Sequence, residues 1–200
     1  MKNLVLNIAI ATITLVACNN NSNKSTVSEK SNGNPLAQSQ TETIKDSTSS
    51  AGVAKKTVSI SVIINAYLQM KNAFAEDNTN GAATAGKTLE TAFKNFDKSV
   101  LTMAQKKSFE DIVGDAREHA EHIGTNGGNI VHQREHFGLL SKDVYDLIKV
   151  FGTEQVLYKD FDQMVNNGKG AFWISETKEI KNPYMGKAML NSGTIKETIK

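Results

Sequence analysis

The sequence has a single cysteine, Cys18, so no disulfide bond can form within the chain. It also has almost no net charge, because 23 basic and 21 acidic side chains leave only +2 at neutral pH. This balance gives no indication of a nucleic-acid or polyanion partner. The apolar run at residues 4–16 is too short to span a bilayer.

Sequence motifs of enzymes are missing as well. The tripeptide at residues 168–170, Gly-Lys-Gly, lacks the longer glycine spacing and the following Ser or Thr of a phosphate-binding loop. The sequence contains no nucleophile elbow, no dinucleotide-binding fingerprint and no HExxH motif of zinc proteases. We therefore expect a protein that is not an enzyme.

The N-terminus has the features of a secretory signal peptide. Residues 1–17 combine a basic start at Lys2 with a short apolar core. Small residues precede Cys18, and this arrangement resembles the cleavage site of bacterial lipoproteins. The resemblance implies that Cys18 becomes the acylated first residue and anchors the protein in the membrane. Asn19 replaces the aspartate of inner-membrane retention, which favours the outer membrane of the bacterial envelope.

Composition divides the rest of the chain into a tether and a folded domain. Residues 18–55 are rich in Ser, Asn, Thr and Lys and show no hydrophobic period. They are predicted to form the lipidated N-terminus and a disordered tether, because such a segment buries too little surface to offset its ordering entropy. Residues 56–193 are predicted to fold, and residues 194–200 to form a tail.

Four amphipathic helices are predicted, because apolar residues recur with a period of 3.6. The first begins near Ser59 and ends near Glu76, with Lys71 on its polar face. The apolar stripe of the second runs from Ala85 to Phe96. Short links between such helices favour an antiparallel bundle, so the predicted fold class is mainly all-α.

Capping residues mark the ends of the third and fourth helices. Thr102 is a predicted N-cap of the third helix, and Asn129 of the fourth. Gly152 suits the C-terminal cap of the fourth helix. Between the two helices, residues 124–129 break the pattern and fold the helices back on each other.

Beyond the fourth helix the pattern changes to short apolar segments. Residues 156–158 and 171–174 are predicted to pair as a hairpin across the Asn- and Gly-rich turn at residues 166–170. A lone two-stranded ribbon is marginal in water, so we expect Trp173 to pack on the bundle. Residues 184–190 are predicted to form one or two helical turns. The domain is thus a four-helix bundle with a C-terminal hairpin or irregular segment packed on it.

All four histidines lie within eighteen positions, on either side of the predicted corner. His119 and His122 are three residues apart on one helix, and His132 and His136 are four apart on the next, so each pair shares a face. Asp143 shares the side of His136 and could orient or replace a ligand. Imidazole suits copper, zinc or nickel. The corner is a candidate metal site; the alternative is that these histidines are solvated or edge-of-core side chains.

The position of each side chain around its helix axis predicts how exposed it is at this corner. His119 is predicted to lie beside the buried stripe and His132 to be the most exposed histidine. Arg134 points away from the histidines and is predicted to hold a carboxylate of the C-terminal segment. Met164 and Met189 offer thioether ligands for Cu(I), although methionines also fill gaps in cores.

Three stretches of the C-terminal half carry a family resemblance: His-Gln-Arg-x-x-Phe at 132–137, Gly-Lys-Gly-Ala-Phe-Trp at 168–173 and Asn-Pro-Tyr-Met-Gly at 182–186. Over residues 60–193 the chain resembles a domain of unknown function. That domain occurs in Bacteroidetes lipoproteins and at the end of CusB-type periplasmic adaptors of heavy-metal efflux pumps. In that family, cysteines commonly stand at the positions of Asp162 and Ser192. The resemblance implies metal handling, with Asp162 as a harder ligand that shifts the preference from copper toward zinc.

Two functional hypotheses follow. In the first, a membrane-anchored lipoprotein binds copper or zinc at the histidine corner, and the C-terminal ribbon covers the site. Its candidate ligands are His119, His122, His132, His136, Met164, Met189 and Asp162. In the second, the domain binds no metal and docks on an efflux system or another envelope protein. Its contacts would come from an exposed aromatic C-terminal ribbon that includes Trp173 and Tyr184, with Arg134 in a structural role.

Overall fold

The structure is a computed structural model, and it describes residues 58–200. The predicted signal peptide, the predicted lipidation site Cys18 and the predicted tether through residue 55 lie outside the described residues. Within residues 58–200, no helix combines the length and the apolar character needed to cross a membrane.

Four helices form most of the described domain. They are α1 (Ser61–Ala75), α2 (Thr79–Lys94), α3 (Met103–Thr125) and α4 (Ile130–Phe151). Each helix packs mainly against the next one along the chain. Short links hold such neighbours antiparallel, and a 3₁₀ turn at Lys98–Val100 lies in the link between α2 and α3. The prediction of a mainly helical domain with four helices is confirmed.

The predicted caps of α3 and α4 are present. Thr102 and Gln105 form a capping box, in which the Thr102 hydroxyl accepts from the Gln105 N–H at 3.2 Å and the Gln105 side chain accepts from the Thr102 N–H at 3.1 Å. The Asn129 side chain accepts from the His132 N–H at 3.3 Å. Each N-cap contributes about 1 kcal/mol. Gly152 ends α4 with a φ of +81°, a conformation that glycine adopts without strain.

Helices α2 and α3 approach each other closely at two glycines. A methyl group on Gly86 would lie 2.8 Å from the carbonyl oxygen of Ala120 and 2.9 Å from the backbone nitrogen of Gly124. A methyl group on Gly124 would lie 3.0 Å from Cγ of Lys87. Because packed interiors leave no room for such overlap, larger residues here would separate the helices. This contact fixes the last turns of α3, which carry His119 and His122.

Three antiparallel strands follow α4. They are β1 (Leu157–Asp162), β2 (Ala171–Ser175) and β3 (Thr194–Ile199), in the spatial order β2-β1-β3. Tyr158 pairs with Ser175 and Asp162 with Ala171. The predicted hairpin is present, but residues 171–174 pair with residues 159–162 and not with residues 156–158. The sheet is nevertheless more than a hairpin, because residues predicted to form a tail make up β3. That strand pairs with β1, which precedes it by more than thirty residues, so no local turn signal announces it.

The connections in the C-terminal part use the predicted turn residues. Asn166 and Asn167 have φ values of +56° and +55°, and Gly168 and Gly170 follow with +82° and +78°. Positive φ is tolerated best by Gly and Asn, which explains why these residues form the turn between β1 and β2. The short helical segment predicted at residues 184–190 is a single 3₁₀ turn, Gly186–Ala188.

An aromatic core joins the sheet to the helices. Tyr67 of α1 stacks on Phe137 of α4, with ring centroids 5.3 Å apart, and both are fully buried. The Tyr67 hydroxyl lies 2.8 Å from Oγ of Ser141 and accepts a hydrogen bond from the Ile174 N–H at 3.1 Å. Trp173 of β2 is also fully buried, as predicted. One tyrosine therefore connects α1, α4 and β2.

Candidate metal centre

Three histidines converge where α3 ends and α4 begins. His122, in the last turn of α3, faces His132 and His136, in the first two turns of α4. One ring nitrogen from each lies within 4.8 Å of the other two. The rings of His122 and His136 stack with centroids 4.3 Å apart, and the His132 ring meets His136 edge-on at 4.6 Å. Among residues 58–200, these three histidines are the one group of three or more potential ligands that lie close enough together to hold a metal ion. We refer to it as the histidine triad.

His119 lies next to the histidine triad but outside it. Its Nδ1 is 3.2 Å from Nδ1 of His136, and its Nε2 is 4.0 Å from Oδ2 of Asp143. The sequence predicted that four histidines and Asp143 would meet at this corner, and the structure brings all five side chains together. The short loop between α3 and α4 is the cause, since it places consecutive turns of the two helices side by side.

The exposure of the histidines differs from the predicted order. The side chain of His119 is 17% exposed and is more enclosed than those of His122 and His132, which fits its predicted place beside the apolar stripe. His122 is 42% exposed and His132 only 33%, so the prediction that His132 is the most exposed was wrong. The packing of α3 against α4 covers part of His132. Angular position on an isolated helix does not include this contact.

Burial keeps the central imidazoles neutral. It lowers the pKa of His119 and of His136, and the neighbouring histidines lower the pKa of His136 further. Neutral imidazole is the form that binds metal ions, so the site is prepared for a cation at neutral pH. Carboxylates flank the triad, with Glu118 3.9 Å from His122 and Glu135 3.8 Å from His132.

Asp143 carries an unusual carboxylate. Its Oδ2 is buried and, within the described part of the chain, has no hydrogen-bond partner. Burial raises the pKa of Asp143 to about 6. Its position opposite Nε2 of His119 therefore places a poorly solvated negative group behind the histidines rather than among them.

The donor set of the triad fits a nitrogen-coordinated metal ion. Zinc–nitrogen bonds of about 2.0–2.1 Å with tetrahedral angles place ligating nitrogens roughly 3.3 Å apart. Nitrogens already within 4.8 Å reach that spacing through small rotations of partly exposed side chains. Three imidazoles without a thiolate suit zinc, Cu(II) or nickel better than Cu(I).

The remaining predicted ligands lie at a different place in the fold. Asp162, at the end of β1, accepts hydrogen bonds from the Asn182 side chain at 2.8 Å, from Oγ of Ser192 at 2.7 Å and from the Met164 N–H at 2.9 Å. The side chains of Met164 and Met189 are exposed. The structure thus places Asp162 in a hydrogen-bond network of the sheet and does not bring it to the histidine triad. It does bring Asp162 and Ser192 into direct contact.

Arg134 holds the C-terminal segment, but not through the predicted partner. Its guanidinium pairs with Asp77, at the corner between α1 and α2, with an N–O distance of 2.7 Å. The Nε–H of Arg134 donates to the carbonyl oxygen of Pro183 at 2.7 Å. Asp77 in turn accepts from the Lys187 N–H at 3.0 Å. The prediction of a carboxylate from the C-terminal segment was wrong, because that segment contributes backbone groups instead.

Trp173 and Tyr184, the two aromatic residues assigned to an exposed ribbon, instead pack in the core or against it. Trp173 is fully buried, and Tyr184 packs its ring against those of Phe137 and Trp173. The Tyr184 hydroxyl donates to the carbonyl oxygen of Phe172 at 2.8 Å. The predicted exposed aromatic ribbon is therefore absent from residues 58–200. No hydrogen bond or ring contact within that range connects the sheet to a histidine, so the predicted cover over the site is not seen either.

A buried charged cluster lies on a side of α1 that the sequence pattern places in solvent. Lys71, predicted to lie on a polar face, is fully buried and pairs with Glu176 at 2.8 Å. Asp160 of β1 is fully buried nearby. Burial raises its pKa to about 6, and the positive charge of Lys71 keeps it from rising further. Glu176 comes from the chain after β2. The sheet therefore covers the side of α1 that periodicity places in solvent, and no pattern within α1 indicates this.

Comparison with known proteins identifies the helical part alone. Residues 63–156 match a family model described as "Protein of unknown function (DUF3347)". The match begins inside α1, runs through α4 and ends directly before β1. The predicted similarity to a domain of unknown function is confirmed to that extent. The link to lipoproteins and metal efflux is not part of the match and stays a prediction.

Searches of curated proteins and of solved structures found no match to this chain.

Proposed function

We propose that this protein is a non-enzymatic, lipid-anchored protein of the bacterial cell envelope that captures a metal ion, copper or zinc, at the histidine triad. The observation that carries the proposal is the convergence of His122, His132 and His136, with ring nitrogens within 4.8 Å of one another. The three imidazoles project from α3 and α4 and form a preorganised set of ligands. The cap at Asn129 fixes the start of α4, and the close approach of α2 fixes the end of α3.

The physical state of the ligands supports reversible capture. Burial favours the neutral form of His136, so little proton release opposes binding at neutral pH. His122 and His132 remain partly exposed, which leaves a route for the ion from solvent. A site with this access exchanges its metal more easily than a closed structural site.

The donor atoms favour Cu(II) or zinc over Cu(I). The triad offers nitrogen alone, and soft sulfur ligands are what select Cu(I). The positions where the resembling family commonly has cysteines are Asp162 and Ser192, which contact each other at 2.7 Å. In this chain the pair belongs to a hydrogen-bond network at the end of β1, which supports a structural role there and leaves metal binding to the histidines.

The envelope location rests on the N-terminal sequence. A signal peptide, the acylated Cys18 and the tether at residues 18–55 would hold the domain at the surface of the membrane, with the outer membrane favoured. An efflux component or another envelope protein would then receive or deliver the ion. The alternative of a scaffold without metal depended on an exposed aromatic ribbon that includes Trp173 and Tyr184. Trp173 is fully buried, and Tyr184 packs against Phe137.

The proposal is tested by metal competition on the full chain, purified in detergent. Cu(II), Cu(I) and zinc are each titrated against a chelator of known affinity. The test variant replaces His122, His132 and His136 by alanine, and the matched control replaces the exposed Arg117 and Glu121 of α3 by alanine. We expect one ion per chain in the wild type and the control, and none in the triple variant. Equal binding by the triple variant and the wild type would refute the proposal.

A further inference from the structure

His119 stands behind the histidine triad rather than in it. The triad nitrogens lie within 4.8 Å of one another, and His119 joins no group of three potential ligands with that spacing in the described residues. Its side chain is only 17% exposed, compared with 42% for His122. His119 therefore contacts the triad through His136 and lies outside the spacing that would let it share an ion with all three members.

The two nitrogens of His119 face different partners. Nδ1 is 3.2 Å from Nδ1 of His136, a hydrogen-bonding distance at which one of the two nitrogens carries the proton. Nε2 points at Oδ2 of Asp143 from 4.0 Å, and that oxygen is buried without a hydrogen-bond partner in residues 58–200. A buried acceptor left unsatisfied is costly, so a small movement that brings an N–H of His119 onto it is favourable.

One arrangement of protons satisfies both contacts. If His119 carries its proton on Nε2, it donates to Asp143, and its Nδ1 accepts from the Nδ1–H of His136. Nε2 of His136 is then a free lone pair. In the opposite arrangement His119 would donate from Nδ1, and its bare Nε2 would face a carboxylate oxygen, which places two lone pairs against each other.

We infer that His119 and Asp143 position His136 instead of binding the ion, and that the metal is held by three histidines, with His136 ligating through Nε2. This inference rests on the proposed metal-binding function. A ligating histidine whose other nitrogen donates to a fixed acceptor is held in one tautomer and becomes a stronger ligand. Three protein ligands also leave a fourth position open for water or for a donor group from a delivering or receiving protein.

Substitutions at His119 separate a positioning residue from a ligand. His119→Gln keeps an acceptor for His136 and a donor for Asp143, whereas His119→Leu removes both. We expect both variants to bind one zinc ion per chain, with the affinity of His119→Leu reduced about 10- to 100-fold and that of His119→Gln within a few-fold of the wild type. His136→Ala should lose binding. Equal loss in His119→Leu, His119→Gln and His136→Ala would identify His119 as a ligand and overturn the inference.

Nitrogen-15 NMR of the histidine rings in the full-length wild type gives a second readout that needs no variant. The zinc-loaded protein should show His136 protonated at Nδ1 and metal-shifted at Nε2, and His119 protonated at Nε2 without a metal shift. A metal shift at Nδ1 of His119 would overturn the positioning role while leaving metal binding intact. A wild type that takes up neither zinc nor copper would instead overturn the proposed function, and the inference with it.

Discussion

Replacement of Asp160 by asparagine is predicted to stabilise the fold at neutral pH. Asp160 lies in β1, the central strand, and is fully buried. In the part of the chain that the structure describes, neither of its carboxylate oxygens has a hydrogen-bond partner. Burial raises the pKa of Asp160 from 3.8 to about 6, although the charge of Lys71 and the neighbouring indole N–H of Trp173 act in the opposite direction. The ionised carboxylate is therefore a cost to the folded state, and an amide of the same shape avoids it.

The size of this effect follows from the change in pKa. One pKa unit corresponds to about 1.4 kcal/mol, so a rise from 3.8 to about 6 corresponds to about 3 kcal/mol. Because the pKa of Asp160 is higher in the folded state, the wild type loses this stability as the pH rises from about 4 to about 6. Asparagine does not titrate. The stability gain of Asp160→Asn should thus be near zero below about pH 4 and reach about 3 kcal/mol at pH 8.

Urea unfolding of the wild type and of Asp160→Asn at pH 4, 6 and 8 measures this difference. The contributions of the other titrating groups are the same in both proteins and cancel in the comparison. The matched control is Glu121→Gln, which neutralises an exposed carboxylate of α3 and should change the free energy of unfolding by less than about 0.5 kcal/mol at every pH. A gain for Asp160→Asn that is the same at all three pH values would refute the reasoning. So would an asparagine variant that is less stable than the wild type at pH 8.

Three further predictions concern the contacts of Arg134 and Tyr67 and the pH dependence of zinc binding. Arg134→Ala should lower the free energy of unfolding by roughly 2–4 kcal/mol, because it removes the partner of Asp77 and of the Pro183 carbonyl. It should also speed hydrogen exchange at the Lys187 N–H, which donates to Asp77; unchanged exchange would contradict this. Tyr67→Phe should cost about 1–2 kcal/mol in urea unfolding, since the hydroxyl connects α4 to β2, and a neutral result would show that the contact is dispensable. Zinc affinity, measured by chelator competition from pH 5 to 8, should fall as the pH drops through the histidine range, because protonated imidazole does not bind. Burial and the neighbouring histidines lower the pKa of His136, which favours its metal-binding form at neutral pH. An affinity that stays constant from pH 8 to pH 5 would contradict ligation by histidine.

Features that depend on a few neighbouring residues could be predicted from the sequence. The caps at Thr102 and Asn129 and the glycine at position 152 mark helix ends through contacts within three or four positions. The histidine corner belongs to this group, since a short loop joins α3 to α4 and any such loop brings their adjoining turns together. The Asn- and Gly-rich turn between β1 and β2 is another local signal.

Features set by distant parts of the chain could not be predicted. The period of α1 places Lys71 in solvent, but the sheet covers it, and its partner Glu176 follows β2, 105 positions further along the chain. The partner of Arg134, Asp77, is separated from it by 57 positions. The different exposure of His119 and His132 likewise depends on how α3 packs against α4, which the helical period does not contain. Each of these contacts is fixed by packing, and packing is not visible in the spacing of residues within one element.

X-ray absorption at the zinc edge of the metal-loaded full-length protein tests the histidine site most directly. The proposed capture at the triad predicts three imidazole ligands with zinc–nitrogen distances of about 2.0–2.1 Å, one further light ligand and no sulfur. The same spectrum in the triple histidine variant should show no bound zinc after desalting. A sulfur ligand near 2.3 Å, a shell of oxygen without imidazole, or a wild type that retains no zinc would contradict metal capture by these three histidines.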